Sequence, residues 1–162
     1  MPVKFSNYAF IDAQNLHRGI KSLGWKLDWE RFRVYLKDKY SITTAYLFIG
    51  FIQTHQDLYS KLQKAGYILI FKPIILDGEG KAKGNCDADL VLHALLEREK
   101  YDKAVIVTSD GDFYSLVRYL RENNKLEMVL SPHEKTCSML LKKEARDKIA
   151  YMTNLGKKIG LK

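Results

Sequence analysis

Hydrophobic positions along the chain fall into short apolar runs separated by amphipathic stretches. Tyr8-Ala9-Phe10-Ile11 is apolar and stops at Asp12, the signature of a buried strand. A helical stretch follows from Leu16 to about Leu23, and Asp28 is placed to cap a second helix over Trp29–Lys39, with Phe32, Leu36 and Trp29 turned inward. Thr44–Ile52 reads as a strand, and Gln56–Ala65 as a helix stopped by Gly66. Tyr67–Phe71 is a further strand, and Asp77–Gly84, with three glycines, reads as a loop. Cys86–Lys100 is a helix by its pattern, with Leu92, Leu95 and Leu96 on the apolar side. Ala104-Val105-Ile106-Val107 is uninterrupted, as in a strand buried on both faces. Phe113–Asn123 then reads as a helix and Leu126–Leu130 as a strand. Thr136–Glu144 and Lys148–Leu155 read as helices, the latter opening a basic helical tail from about residue 146.

Strands alternating with helices of about a dozen residues predict an α/β fold with a mostly parallel sheet of about five strands, covered on both faces. No repeat or linker interrupts the 162 residues, so a single domain is expected. No apolar run approaches the roughly 18 residues that cross a bilayer. Met1–Asn7 has no signal-peptide core, so a cytoplasmic location and no membrane partner are expected. The two cysteines, Cys86 and Cys137, form no CxxC and read as reduced thiols.

The acids change the picture. In open α/β sheets, ligands bind beyond the carboxyl ends of the strands, where strand order switches. Asp12 ends the first strand, and Asp110 follows the Ala104–Val107 strand within Val107-Thr108-Ser109-Asp110-Gly111-Asp112-Phe113. If those strands are neighbours, the two acids face each other. Asp112 lies in the next turn, and Asp87 and Asp89 open another helix after the glycine-rich loop. Converging carboxylates repel unless a cation neutralises them or some are protonated. Oxygen-only ligands suit Mg²⁺ or Mn²⁺, which can activate water against a phosphodiester. Taken singly, Asp87 and Asp112 fit helix N-caps equally well, and Asp12 a turn. A phospho-receiver domain has the same kind of sheet but needs adjacent acids after the first strand, where Ala13 follows Asp12, and an aspartate after the third, where Lys72-Pro73-Ile74 stands. No P-loop and no GxGxxG is present.

A net charge of +8 and a pI near 9.4 suit a polyanionic partner, and an acidic pocket in a basic surface suits a nucleic-acid backbone with a metal at one phosphate. Arg18, Lys21, Lys81 and Lys83 are the candidate phosphate contacts, and the tail adds Lys157, Lys158 and Lys162. Phe113 and Tyr114 can stack on bases, although Phe113 reads first as core.

Three segments carry a family resemblance. Phe10-Ile11-Asp12-Ala13-Gln14-Asn15-Leu16 resembles the opening motif of NYN domains in the LabA-like branch of the PIN-like nucleases. Lys83-Gly84-Asn85-Cys86-Asp87-Ala88-Asp89-Leu90 and Val107-Thr108-Ser109-Asp110-Gly111-Asp112-Phe113, followed by Leu116-Val117, are similar to its second and third motifs, so that the resemblance spans about residues 7 to 132. It implies a PIN-like three-layer α/β/α sandwich and an Mg²⁺- or Mn²⁺-dependent ribonuclease acting on RNA, single-stranded by preference. By position it implies Asp12, Asp87, Asp110 and Asp112 as catalytic metal ligands, Asn15 as their polar partner, and Thr108 and Ser109 as supports of the turn. It also implies a homodimer, with no interface marked in the sequence. One position departs from the pattern: His93 stands where many members have a further aspartate, leaving one carboxylate fewer. A non-catalytic RNA-binding module is the alternative that this departure favours.

Overall fold

In the computed structural model, residues 5–73, 75–76, 82–83 and 87–162 are described, with only the backbone of 73, 75, 76, 82 and 83. Six strands form the sheet: β1 (Asn7–Asp12), β2 (Ile42–Phe51), β3 (Tyr67–Pro73), β6 (Ala104–Val107), β7 (Leu126–Ser131) and β8 (Ile149–Tyr151). Between β3 and β6, β4 (Ile75–Leu76) and β5 (Ala82–Lys83) make a small antiparallel pair. The helices are α1 (Ala13–Ser22), α2 (Trp29–Tyr40), α3 (Gln56–Lys64), α4 (Asp87–Leu96), α5 (Tyr114–Glu122), α6 (Met139–Ala145) and α7 (Gly156–Ile159).

The sheet order is β3-β2-β1-β6-β7-β8, and every neighbouring pair is parallel. The chain therefore builds outward from β1 in one direction and from β6 in the other, and the switch in strand order falls between them. Side chains alternate across β1, as the pleat requires. Ala9 and Ile11 enter one core with Leu16, Phe32, Leu36 and Leu47, beneath α1, α2 and α3. Phe10 enters the other with Phe48, Leu90, Ile106 and Phe113, beneath α4, α5 and α6. Burying one such phenyl ring contributes roughly 2–3 kcal/mol, so the two faces together fix the register of the sheet.

Local signals explain most boundaries. Asp28 does cap α2, accepting a hydrogen bond from Arg31 N at 3.1 Å. Gly66, at φ +106°, turns the chain out of α3 into β3 in a conformation that a Cβ would strain.

Five expectations are corrected. The sheet has six strands rather than five, because Ile149–Tyr151, read as part of a helical tail, pairs with Val129–Ser131 as β8. Only Gly156–Ile159 of that tail is helical. The helix expected from Thr136 is a 3-10 turn over Glu134–Thr136, followed by α6. On α4, Leu90 and Ala94 are the buried positions, whereas Leu92 and Leu96 are 53% and 68% exposed. That helix also ends at Leu96, four residues early.

Candidate metal centre at the strand ends

β1 and β6 are hydrogen-bonded neighbours, with Ile11 opposite Val107, so their next residues, Asp12 and Thr108, meet at the carboxyl edge of the sheet. Asp12 follows Phe10 by two residues and thus faces the α4 side. α4 begins at Asp87 against β1, and Asp110 caps the 3-10 turn Gly111–Phe113 that leads into α5. Three elements therefore deliver one carboxylate each. Oxygen atoms of Asp12, Asp87 and Asp110 lie within 4.8 Å of one another, and all three residues are half-buried.

A hydroxyl and amide scaffold fixes these acids. Thr108 Oγ1 donates to Asp12 Oδ2 at 3.2 Å and accepts from Asp110 N at 3.1 Å, so one side chain ties two of the three aspartates. Asn15 N donates to Asp12 Oδ1 at 3.3 Å, and Ser109 N donates to Asn15 Oδ1 at 2.8 Å. Ser109 Oγ and Ser131 Oγ share a buried hydrogen bond of 2.7 Å, which joins this loop to the end of β7. Ser138 N donates to Ser109 O at 3.0 Å, drawing the start of α6 beneath the acidic turn. There Gly111 is required: a Cβ at residue 111 would lie 2.9 Å from Ser138 Cβ and closer still to Ser138 Oγ.

The electrostatics are those of an incompletely balanced cluster. Burial raises the Asp12 carboxyl above its ordinary range, and the Asp110 charge adds to this; the hydrogen bonds from Asn15 and Thr108 and the charge of Arg18 oppose it. Asp87 is pushed up to about 6, by burial first and then by the charges of Asp12, Asp110 and Asp112, with Lys72 opposing. Among the described residues, Arg18 acts on Asp12 and Lys72 on Asp87 as the opposing positive charges. The donor set is all oxygen and pre-assembled, which fits a hard divalent cation of the Mg²⁺ or Mn²⁺ type. A cation of that charge would offset the repulsion that raises Asp87.

Other expected site residues fall around this centre. Asp112 is exposed and lies outside the trio, near enough to act on Asp87 through its charge. Its backbone N donates to Asp110 Oδ1 at 2.9 Å. His93 is not brought to the trio. Its ring packs edge-on against Tyr46 and Phe48, with centroids 5.2 and 5.6 Å away. Arg18 and Lys21 are exposed on α1. Lys81 lies outside the described residues, as does the side chain of Lys83, although its backbone pairs with Ile75 in the β4–β5 hairpin. Phe113 is fully buried and Tyr114 half-buried. Cys137 is a buried free thiol, and Cys86 lies outside the described residues.

Sequence reasoning passed over Lys72, Ser131 and Ser138. Lys72 is the last residue but one of β3, two residues past Ile70 and so on the sheet face that carries Asp12. Its one signal is its place at a strand's carboxyl end. The two serines have no local signal, because their role depends on β7 and α6 packing beneath the loop.

The model of the NYN domain matches residues 8–152 of the chain. The crystal structure of a protein of unknown function from Vibrio parahaemolyticus is similar in fold, with a TM-score of 0.82 at 20% identity, covering 99% of this chain and 100% of that one. No curated protein matches the chain significantly. Among the described residues, no helix is long and apolar enough to cross a membrane.

Proposed function

The chain belongs to the NYN-domain family, within the PIN-like nuclease superfamily, and we propose that it is a metal-dependent ribonuclease of the LabA-like branch. The observation that carries this reading is the trio Asp12, Asp87 and Asp110, whose oxygens lie within 4.8 Å of one another at the switch point of the sheet. The three segments that resemble NYN-domain motifs supply one acid each.

Asp12, Asp87 and Asp110 would hold Mg²⁺ or Mn²⁺. A divalent cation bound there supplies an acidified water and stabilises charge on the scissile phosphate. The protein's own part is positional. Thr108 and Asn15 hold Asp12 with its oxygens turned into the crevice, and Ser109 holds Asn15. Asp112, exposed at the rim, is the further acid available to orient water or take its proton. Arg18 and Lys72 lie where a phosphodiester would need countercharge, Lys21 follows along α1, and Lys81 and Lys83 are proposed as further phosphate contacts from their place in the sequence. The substrate is single-stranded RNA, whose backbone a basic surface attracts. We place this activity in the cytoplasm; a homodimer is compatible with it and not required by it.

A second reading has one specific support. His93 replaces a family acid and is packed between aromatic rings, so the centre has three carboxylates where many relatives would have four. A non-catalytic RNA-binding module would look like this.

Labelled single-stranded RNA incubated in Mn²⁺, Mg²⁺ or EDTA, beside an Asp12→Asn variant, decides between them. Metal-dependent cleavage that is lost in the variant is the expected result. Tight binding without cleavage in either metal would overturn the enzyme reading and leave the module.

A further inference from the structure

A groove of about 920 Å³ opens between α1 and α3, on the face of the sheet away from α4. Its rim carries His17, Lys21, Lys26 and Lys61, and its walls include Trp25 and Trp29, the two tryptophans of the chain. Its floor is the apolar side of α1, Leu16 and Ile20. Two acids also line it: Glu30, and Asp28, whose carboxylate already accepts from Arg31 N and pairs with Arg31 Nε at 3.6 Å.

We infer that this groove is a single-stranded RNA track that feeds the aspartate centre; the inference rests on the ribonuclease reading and names where its substrate lies. Three observations support it. First, α1 connects the two places. Asp12 caps its N-terminus, and Arg18 acts on Asp12 by its charge. At 1.5 Å per residue, His17 lies about 7.5 Å and Lys21 about 13.5 Å along the axis from Asp12. The groove therefore begins within two helical turns of the centre. Second, the indoles are held as platforms. Trp25 packs on the backbone of Gly156 and Gly160, where added Cβ atoms would lie 3.2–3.3 Å from its ring. Trp29 stands edge-on to Tyr67, with centroids 5.7 Å apart. Fixed aromatic surfaces beside a cationic rim are what sequence-tolerant binding of single strands needs: bases stack, and phosphates meet lysines. Third, the charges are complementary. Three lysines face Glu30 and Asp28, and Asp28 is already paired with Arg31, which suits a polyanion and disfavours an apolar segment of another protein.

Because both tryptophans are in the groove, intrinsic fluorescence reports on it alone. In EDTA, the full chain is titrated with a 5′-labelled oligouridylate. Label anisotropy measures binding anywhere on the protein, and tryptophan emission measures binding in the groove. The two curves should coincide. Lys21→Glu/Lys61→Glu, two exposed changes that leave the cores intact, should weaken both roughly tenfold or more and flatten the salt dependence. Lys143→Glu, on α6 across the sheet, is charge-matched to each single variant, Lys21→Glu and Lys61→Glu, and unlike them should weaken neither signal beyond the small effect of a distant charge change. Anisotropy change without tryptophan change, or a double variant that binds as the wild type does, overturns the track and leaves the ribonuclease reading standing. Coincident curves in a protein that cleaves RNA in no metal establish the track and overturn the nuclease. No binding by either signal overturns the track, and cleavage in Mn²⁺ or Mg²⁺ then decides the nuclease reading by itself.

Discussion

Glu144 on α6 and the aspartate trio at the strand ends are both carboxylates drawn out of water, and they are balanced in opposite ways. Glu144 is buried, with Arg118 Nη2 at 2.8 Å, Arg118 Nε at 3.0 Å and Arg121 Nη2 at 3.3 Å from its oxygens. The hydrogen bonds and charge of Arg118, with Arg121 behind it, hold its carboxyl down at about 2. It ties α5 to α6 and asks for nothing further. Asp87 shows the reverse: burial and three neighbouring acids push it up to about 6, with Lys72 a lesser counterweight. The same fold supplies two guanidinium groups to one buried glutamate, whereas among the described residues no guanidinium is hydrogen-bonded to the trio. A structural acid is neutralised by protein; an acid cluster that is left charged has room for a cation.

The largest effect that would sharpen this contrast is on catalysis. Asp12→Asn should lower RNA cleavage by two to three orders of magnitude, roughly the scale of losing one electrostatic stabiliser, measured as kcat/KM on labelled RNA. Glu144→Gln should leave the turnover of the folded fraction within a few-fold of wild type, roughly the range of a change that touches structure and not chemistry. Next is Thr108→Val, which removes the one hydroxyl bound to both Asp12 and the Asp110 backbone. Metal affinity should weaken about 10–100-fold, as for other groups that orient ligands, read by calorimetry.

Smaller effects appear in stability. Asp87→Asn removes repulsion and should raise the melting temperature of the metal-free protein by a few degrees at pH 7.5, on the order expected of one such interaction. Glu144→Gln should lower it. The pH profiles also oppose each other. Asp87 is raised from 3.8 to about 6, so its contribution is fully present below pH 3.8 and is lost as pH rises through about 6. Glu144 is lowered from 4.5 to about 2, so its contribution is present above pH 4.5 and is lost as pH falls through about 2. Replacing Asp87 should therefore flatten the metal-free stability profile between about pH 4 and 6, and replacing Glu144 should flatten it below about pH 4.5, measured by thermal melts across pH.

Much of this arrangement was legible in the sequence. Ala104–Val107 announces itself because a parallel strand buried on both faces is an unbroken apolar run, and all four residues are fully buried. Asp12 and Asp110 were legible because each closes or follows such a run, and Asp87 because it opens a helix after a glycine-rich stretch. What escaped depends on packing between distant elements. β8 is three residues long beside a lysine-rich tail, and its pairing with β7 is the only thing that makes it a strand. Leu92 and Leu96 look inward by spacing, yet the side of α4 that meets the sheet is set by Leu90 and Ala94. Lys72 joins the acids only because β3 lies two strands from β1 in a sheet whose order the sequence does not print.

That the trio of Asp12, Asp87 and Asp110 holds a divalent cation is tested most directly by Mn²⁺ binding followed by electron paramagnetic resonance. Wild-type protein titrated with Mn²⁺ at pH 7.5 should bind the ion saturably at this centre, and Asp110→Asn should lose that binding while keeping its fold. Mg²⁺ should displace the Mn²⁺. Absence of saturable binding to the wild type, or binding unchanged in Asp110→Asn, would contradict the account.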